Sequence, residues 1–226
     1  AAATANSYPP PSAYVSDLGG KVHGRPINVK FVIHGWVMAL GWGFFVPAGV
    51  WAVRYARAPD DAPPAKNAFV KSLRSQWLKL HWVLNVIGLS LAAVGFALSY
   101  MAVEDESGGR GGHLAVTHSY YGAGALLLGF YQPLNAFLRP TNASPADAAG
   151  KSTPRLRWEW VHRASAAFGL CLSVVAVTSG TQSAAAWGAV RGGDAAYKAY
   201  VGWVVAVVAA TCVMEVVRWR ERRGAA

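Results

Sequence analysis

The sequence predicts an all-α membrane protein of five transmembrane helices, and three observations carry that reading. Only 14% of the 226 residues are charged against 54% hydrophobic, where a soluble globule carries about a quarter charged residues. The charges are bunched between long apolar runs instead of spread along the chain, as repeated crossing of a bilayer requires. No segment of about ten residues alternates apolar with polar side chains, which argues against a closed barrel and leaves the helix as the way to satisfy the backbone in lipid.

Residues 1–28 read as a polar tail or linker, broken by Pro9, Pro10 and Pro11. The chain opens on Ala1 and this stretch holds no apolar signal-peptide core, so a presequence already removed or a longer parent protein is expected. Residues 29–220 form the transmembrane domain, and 221–226 a C-terminal tail. The five spans run Val29–Val53, Trp77–Met101, Leu114–Leu138, Trp158–Gly180 and Tyr197–Trp219. At helical rise each is on the order of 35 Å long, enough to cross the hydrocarbon core.

Short connections make the spans alternate in direction. Let side A be the face holding the N-terminus and side B the other. Of the 21 Lys and Arg residues, fifteen fall on side B and six on side A. The positive-inside rule therefore puts side B, with the C-terminus, on the cytoplasmic-type face and the N-terminus outside or in a lumen. In this orientation the sequon Asn142-Ala143-Ser144 is on side B and is not glycosylated. The net charge of +10 does not indicate nucleic acid, because the basic residues flank apolar spans and form no basic–aromatic surface. Cys171 and Cys212 fall within apolar runs and read as small buried hydrophobes; no C-x-x-C-H attachment sequence is present.

The chemistry is in the histidines. His34, His81, His118 and His162 each lie about one turn inside the start of spans 1 to 4. Because the spans alternate, His34 and His118 share a level near side A, and His81 and His162 share a level near side B. Ionisable residues within a membrane are costly and are functional candidates. Neutral imidazoles on facing helices can clamp a flat macrocycle through its iron. A lone histidine would read better as a polar residue bonded to a neighbouring helix; four at matched depths do not. Zinc is the nearest rival, but it gathers three or four ligands in one place. Here the pairs stand about 15 residues, roughly 20 Å, apart, which suits two separate haems and makes them an electron relay along the membrane normal. Small residues in the spans, among them Gly41, Gly88, Gly95, Gly122, Gly129 and Gly169, either leave room for such rings or simply let helices pack. His23 and His113 lie outside the spans. They read as solvated loop histidines, or, for His113, as a group that receives a metal substrate beside the side A haem.

At these residues the chain resembles the cytochrome b561 family, most closely the subgroup joined to DOMON domains. The similar stretches are His34-Gly-Trp-Val-Met-Ala-Leu-Gly-Trp-Gly-Phe-Phe-Val-Pro-Ala-Gly49 with Arg54-Tyr-Ala-Arg57 after it, Trp77-Leu-Lys-Leu-His81, and His118-Ser-Tyr-Tyr-Gly122. Then come Gln132-Pro-Leu-Asn-Ala-Phe-Leu-Arg-Pro140 and Trp158-Glu-Trp-Val-His162-Arg163. The resemblance covers about residues 29–220. It implies a four-helix core holding two b haems, with axial histidines paired between helices 1 and 3 and between helices 2 and 4, as the depths also suggest. It further implies ascorbate as the cytoplasmic donor, and monodehydroascorbate or a ferric chelate as the acceptor opposite. In six-span members a lysine two residues before the corresponding histidine contacts ascorbate, and Lys79 is similar. Lys79, Arg155, Arg157 and Arg163 surround His81 and His162, and clustered Lys and Arg suit an ascorbate anion or haem propionates. The plainer reading is that they only enforce topology. No DOMON domain stands in these residues, which leaves the acceptor open.

Two other functions compete with a transmembrane reductase. One is a relay or structural subunit of a homodimer or larger membrane complex, with the 10 Trp residues forming partner surfaces instead of lipid-interface anchors. The other is a solute transporter with a histidine proton relay, which needs broken helices near the midplane that these continuous spans do not offer.

Overall fold

A computed structural model of the chain describes residues 14–15, 21–22, 25–26, 28–57, 67–109, 112–141, 152–186 and 194–224. His23, the Asn142 sequon, and Lys66, Arg110, Lys151 and Arg191 of the charge count lie outside the described residues. Five long helices dominate: α1 Val29–Ala56, α2 Ala68–Ser107, α3 Thr117–Phe137, α4 Thr153–Ala186 and α5 Ala195–Gly224. Four of the expected spans lie wholly inside one helix each, and the third overshoots α3 by a few residues. Within the expected polar tail, β1 Tyr14–Val15, β2 Lys21–Val22 and β3 Arg25–Pro26 pair antiparallel in that order. Tyr14 stands opposite Val22, and Lys21 opposite Pro26. Residues 29–177 form one compact unit; Ala1–Asn28 with Thr178–Ala226 form the other.

Among the described residues, four stretches are long and apolar enough to cross a membrane: Val29–Ala56, Ala68–Ser107, Thr153–Ala184 and Ala195–Arg220. Helix α3 is less apolar, because His118, Tyr120, Tyr121, Tyr131, Gln132, Pro133 and Asn135 sit among its leucines and glycines. Its 21 residues still give about 31 Å at helical rise. Side-chain contacts at both of its ends bind it into the same bundle as α1, α2 and α4, and the polar residues are the ones that make those contacts.

The ends of the helices follow from local chemistry. The Asn67 side chain caps α2, accepting from the backbone N–H of Phe69 at 2.8 Å and of Val70 at 3.4 Å. Gly108 closes α2 in the left-handed conformation at φ 60°, which glycine adopts without strain. Helix α1 is irregular, with π-helical turns at Gly41–Phe45 and Ala52–Ala56. The first of these ends two residues before Pro47. Proline has no N–H to give, and its ring crowds the carbonyl four residues back, so a widened turn there accommodates it.

Glycines let the helices meet closely. A Cβ added at Gly41 would stand 2.8 Å from the Gly88 carbonyl oxygen, and one at Gly95 would stand 3.0 Å from Val37 and Met38 atoms. Gly124 faces Leu172, and Gly169 faces Leu128. Helix packing is therefore what most of these glycines serve. Gly122, one turn after His118, differs: an added Cβ there meets nothing within 4 Å. Cys171 and Cys212 are exposed on their helices, correcting the expectation that they are buried. In lipid an apolar residue needs no protein cover, so apolarity along a span does not distinguish its inner face from its outer.

Candidate functional site

The described side chains bring the predicted histidines together by pairs of helices. His34 on α1 and His118 on α3 face each other with ring centres 6.0 Å apart and planes at 84°. Nδ1 of His34 donates to the Gly95 carbonyl at 2.8 Å, and Nδ1 of His118 to the Ala176 carbonyl at 2.8 Å. With the proton fixed on Nδ1, each Nε2 carries a lone pair, the form in which imidazole ligates a metal. A carbonyl behind a ligating histidine is also the usual outer-shell support, setting ring orientation and raising basicity.

The separation of the rings fits a shared metal. Two metal–nitrogen bonds of about 2 Å, with roughly 1 Å from each nitrogen to its ring centre, place the two centres about 6 Å apart. The perpendicular ring planes can both stand upright on one flat macrocycle. The open space at Gly122, on the His118 face of α3, provides room beside it.

At the side B level one histidine has a carbonyl behind it and the other an amide nitrogen. Nδ1 of His81 on α2 donates to the Gly49 carbonyl of α1 at 2.9 Å. Asn85, one turn on, donates from Nδ2 to the His81 carbonyl at 2.7 Å. His162 on α4 has the Asn135 amide of α3 at 3.5 Å from its Nδ1. Trp158 stacks on His162 with centres 5.1 Å apart and planes at 14°, and its Nε1–H donates to the Asn135 carbonyl at 2.8 Å. Asn135 is 4% exposed, so one buried residue meets both His162 and Trp158. Gln132, one turn earlier on α3, donates to the Leu128 carbonyl and to Ser165 Oγ of α4. Its Oε1 is buried without a partner among the described residues, an acceptor that calls for a donor from elsewhere.

The basic residues divide by environment. Lys79 and Arg157 are exposed on α2 and α4. Arg163 is 72% exposed and reaches Glu159 at 3.2 Å. Arg155 is buried. Its Nε donates to Glu159 Oε1 at 3.1 Å and its Nη1 to the Pro140 carbonyl at 3.3 Å, and its guanidinium lies 4.7 Å from the Trp158 ring centre. It closes the start of α4 onto the end of α3 and does not present its charge to water.

On the side A face, His113 pairs through Nε2 with Glu104 Oε1 at 2.6 Å and stacks on Tyr100, centres 4.1 Å apart. It is thus a part-buried latch holding the segment after α2 against that helix, and not an openly solvated loop histidine. Lys30 on α1 pairs with Asp105 beside it.

The sequence reading missed several partners. Asn85 was legible as a polar residue one turn after a histidine inside an apolar span. Glu159 was legible as the carboxylate four residues from both Arg155 and Arg163. The carbonyls of Gly49, Gly95 and Ala176 leave no trace in a sequence.

The family model of eukaryotic cytochrome b561 matches residues 65–188. A cytochrome b561, DM13 and DOMON domain-containing protein of Arabidopsis thaliana is 28% identical over 191 residues, covering 84% of this chain and 18% of the plant protein. A cytochrome b561 and DOMON domain-containing protein of the same plant is 24% identical over 190 residues, covering 84% of this chain and 34% of its own length. The chain therefore spans only 18% and 34% of the length of these two curated relatives. No solved structure matches it. The matched segment contains His81, His118 and His162; His34 lies ahead of it.

Proposed function

Because the chain belongs to the cytochrome b561 family, we propose that this integral membrane domain carries electrons across the bilayer through two b haems, one at each histidine level. His34 with His118, and His81 with His162, would hold them. Bound there, haem iron accepts and releases single electrons. The observation that carries the reading is the side A pair: two imidazoles from different helices, 6.0 Å apart, each with its Nδ1 committed to a carbonyl.

The residues around that frame hold and orient. Gly95, Ala176 and Gly49 fix three imidazoles through their carbonyls, while Asn135 and Trp158 hold the fourth from two sides. At side B, the cytoplasmic-type face, exposed Lys79 and Arg157 attract the ascorbate anion, which loses one electron to the domain and one proton to water to become monodehydroascorbate. Arg155 supports His162 through Trp158 instead of touching the donor. At side A the acceptor, a ferric chelate or monodehydroascorbate, gains one electron beside His113 and Glu104. Apolar helix surfaces keep water and ions away between the two faces.

A second reading is favoured by the share of the relatives that the chain covers. They carry DOMON domains, and one also a DM13 domain. The membrane domain then acts as the relay of a larger protein, passing electrons to or from such a domain.

The test is a visible spectrum of purified protein before and after ascorbate, with haem quantified per chain. Two haems with low-spin b-type bands that sharpen on ascorbate support the reductase. Two haems reduced only by dithionite support the relay. Freshly prepared protein without haem refutes both.

A further inference from the structure

The two histidine levels have a well-defined middle. Along α2 they are marked by His81 and by Gly95, whose carbonyl holds His34; Gly88 lies seven residues from each. Along α4 they are marked by His162 and by Ala176, whose carbonyl holds His118; Gly169 lies seven residues from each. At helical rise, about 10 Å separates this middle from either level.

Gly88 meets Gly41 of α1, and Gly169 meets Leu128 of α3. The next residues along those two helices are Trp42 and Gly129, and they touch: a Cβ at Gly129 would stand 2.6 Å from Trp42 Cη2. Trp42 is 5% exposed. Its indole therefore lies in the central layer, against α3, at matched depth on all four helices. Gly88, Leu89, Leu128, Gly129 and Gly169 share that layer; Phe130 and Phe168, beside Gly129 and Gly169, are 40% and 60% exposed, whereas the Trp42 indole is enclosed. The π-helical turn Gly41–Phe45 places Trp42, and such turns often mark functional positions within helices.

From this placement we infer that Trp42 is the bridge over which an electron passes between the two histidine levels. The inference rests on the two-haem reading above. With haem held at both levels, one electron would leave the level of His81 and His162 and arrive at the level of His34 and His118. Trp42 couples the two with no net change in its own charge, and no proton moves. Gly129 is the positioning residue that gives the indole its space.

The experiment compares the haem-loaded full chain with Trp42→Leu and Trp42→Phe in sealed vesicles with side B outward. Haem per chain is measured first, then the two phases of haem reduction after external ascorbate, or dithionite where ascorbate is inert. All three proteins are expected to hold two haems with the parent bands and to share the fast phase. The slow phase is expected to fall about tenfold in Trp42→Leu and to stay within about twofold of the parent in Trp42→Phe. If Trp42→Leu loses haem, Trp42→Met replaces it in the comparison. An unchanged slow phase in the aliphatic variant overturns the inference, as does equal slowing in the aliphatic and Phe variants, which is the signature of packing alone. Fewer than two haems in the parent overturns the two-haem reading itself, a failure visible before any rate is measured.

Discussion

Replacing Arg155 with methionine separates a structural arginine from a donor-binding one. The side chain is 8% exposed and its partner Glu159 13%, so the pair is shielded from solvent. Removing one member of a buried pair costs about 3–5 kcal/mol, because the other charge is left uncompensated. Glu159 keeps Arg163 at 3.2 Å, but that arginine is 72% exposed and contributes less, about 0–1 kcal/mol. The hydrogen bond to the Pro140 carbonyl and the contact with Trp158 are lost as well. Methionine recovers part of the apolar packing, so a net loss of about 3 kcal/mol is expected. For a chain of this size that lowers the unfolding midpoint by about 6–12 °C. The assay is thermal unfolding in detergent followed by loss of the haem band, with Glu159→Gln and the double variant completing a cycle that isolates the pair. The double variant is expected to cost less than the sum of the singles. A midpoint within about 2 °C of the parent, together with slowed ascorbate reduction, would refute the structural role and return Arg155 to the donor site.

Neutralising Lys79 and Arg157 together by glutamine is expected to slow reduction by ascorbate about tenfold and leave reduction by dithionite and the unfolding midpoint unchanged; stopped-flow absorbance reads it. His34→Ala and His118→Ala are each expected to remove the side A haem alone, and His81→Ala and His162→Ala the side B haem alone, leaving one haem per chain by quantitative spectroscopy. Gly88→Ala brings a Cβ to 2.7 Å from Val46 Cγ2 and is expected to destabilise by about 1–3 kcal/mol in the same thermal assay. Glu104→Gln releases His113, but both partners are about a third exposed, so the loss is about 0.2–1 kcal/mol, visible as faster proteolysis near His113 with haem content unchanged.

The class of the fold, the span limits and the depth of the four histidines were legible because each depends on one-dimensional information: apolar run length, alternation of direction, and distance from the start of a run. The weak hydropathy of α3 follows from the same residues that make it informative, since Gln132 and Asn135 are spent on contacts within the bundle. The roles of the basic residues were not legible. Lys79 and Arg155 have the same charge and similar depth, and only the fold shows that one reaches solvent while the other is enclosed by Glu159, Pro140 and Trp158. The glycines were ambiguous for a related reason: a residue without a side chain marks a close approach or an empty space, and sequence cannot tell Gly88 from Gly122.

The way the histidines are held has a consequence for assembly. Every outer-shell partner lies within a hairpin: His34 with Gly95 and His81 with Gly49 between α1 and α2, His118 with Ala176 and His162 with Asn135 between α3 and α4. On the proposed pairing the ligands instead run across the seam: His34 of the first hairpin faces His118 of the second, ring centres 6.0 Å apart, and His81 would pair with His162. On that reading each hairpin can insert into the bilayer before the two meet, and haem bound between them would be the rivet joining two finished halves. Whatever binds the joined form and not the separated one shifts the equilibrium by mass action, so on the proposed pairing haem supply would govern how firmly the halves stay together, as well as whether electrons move.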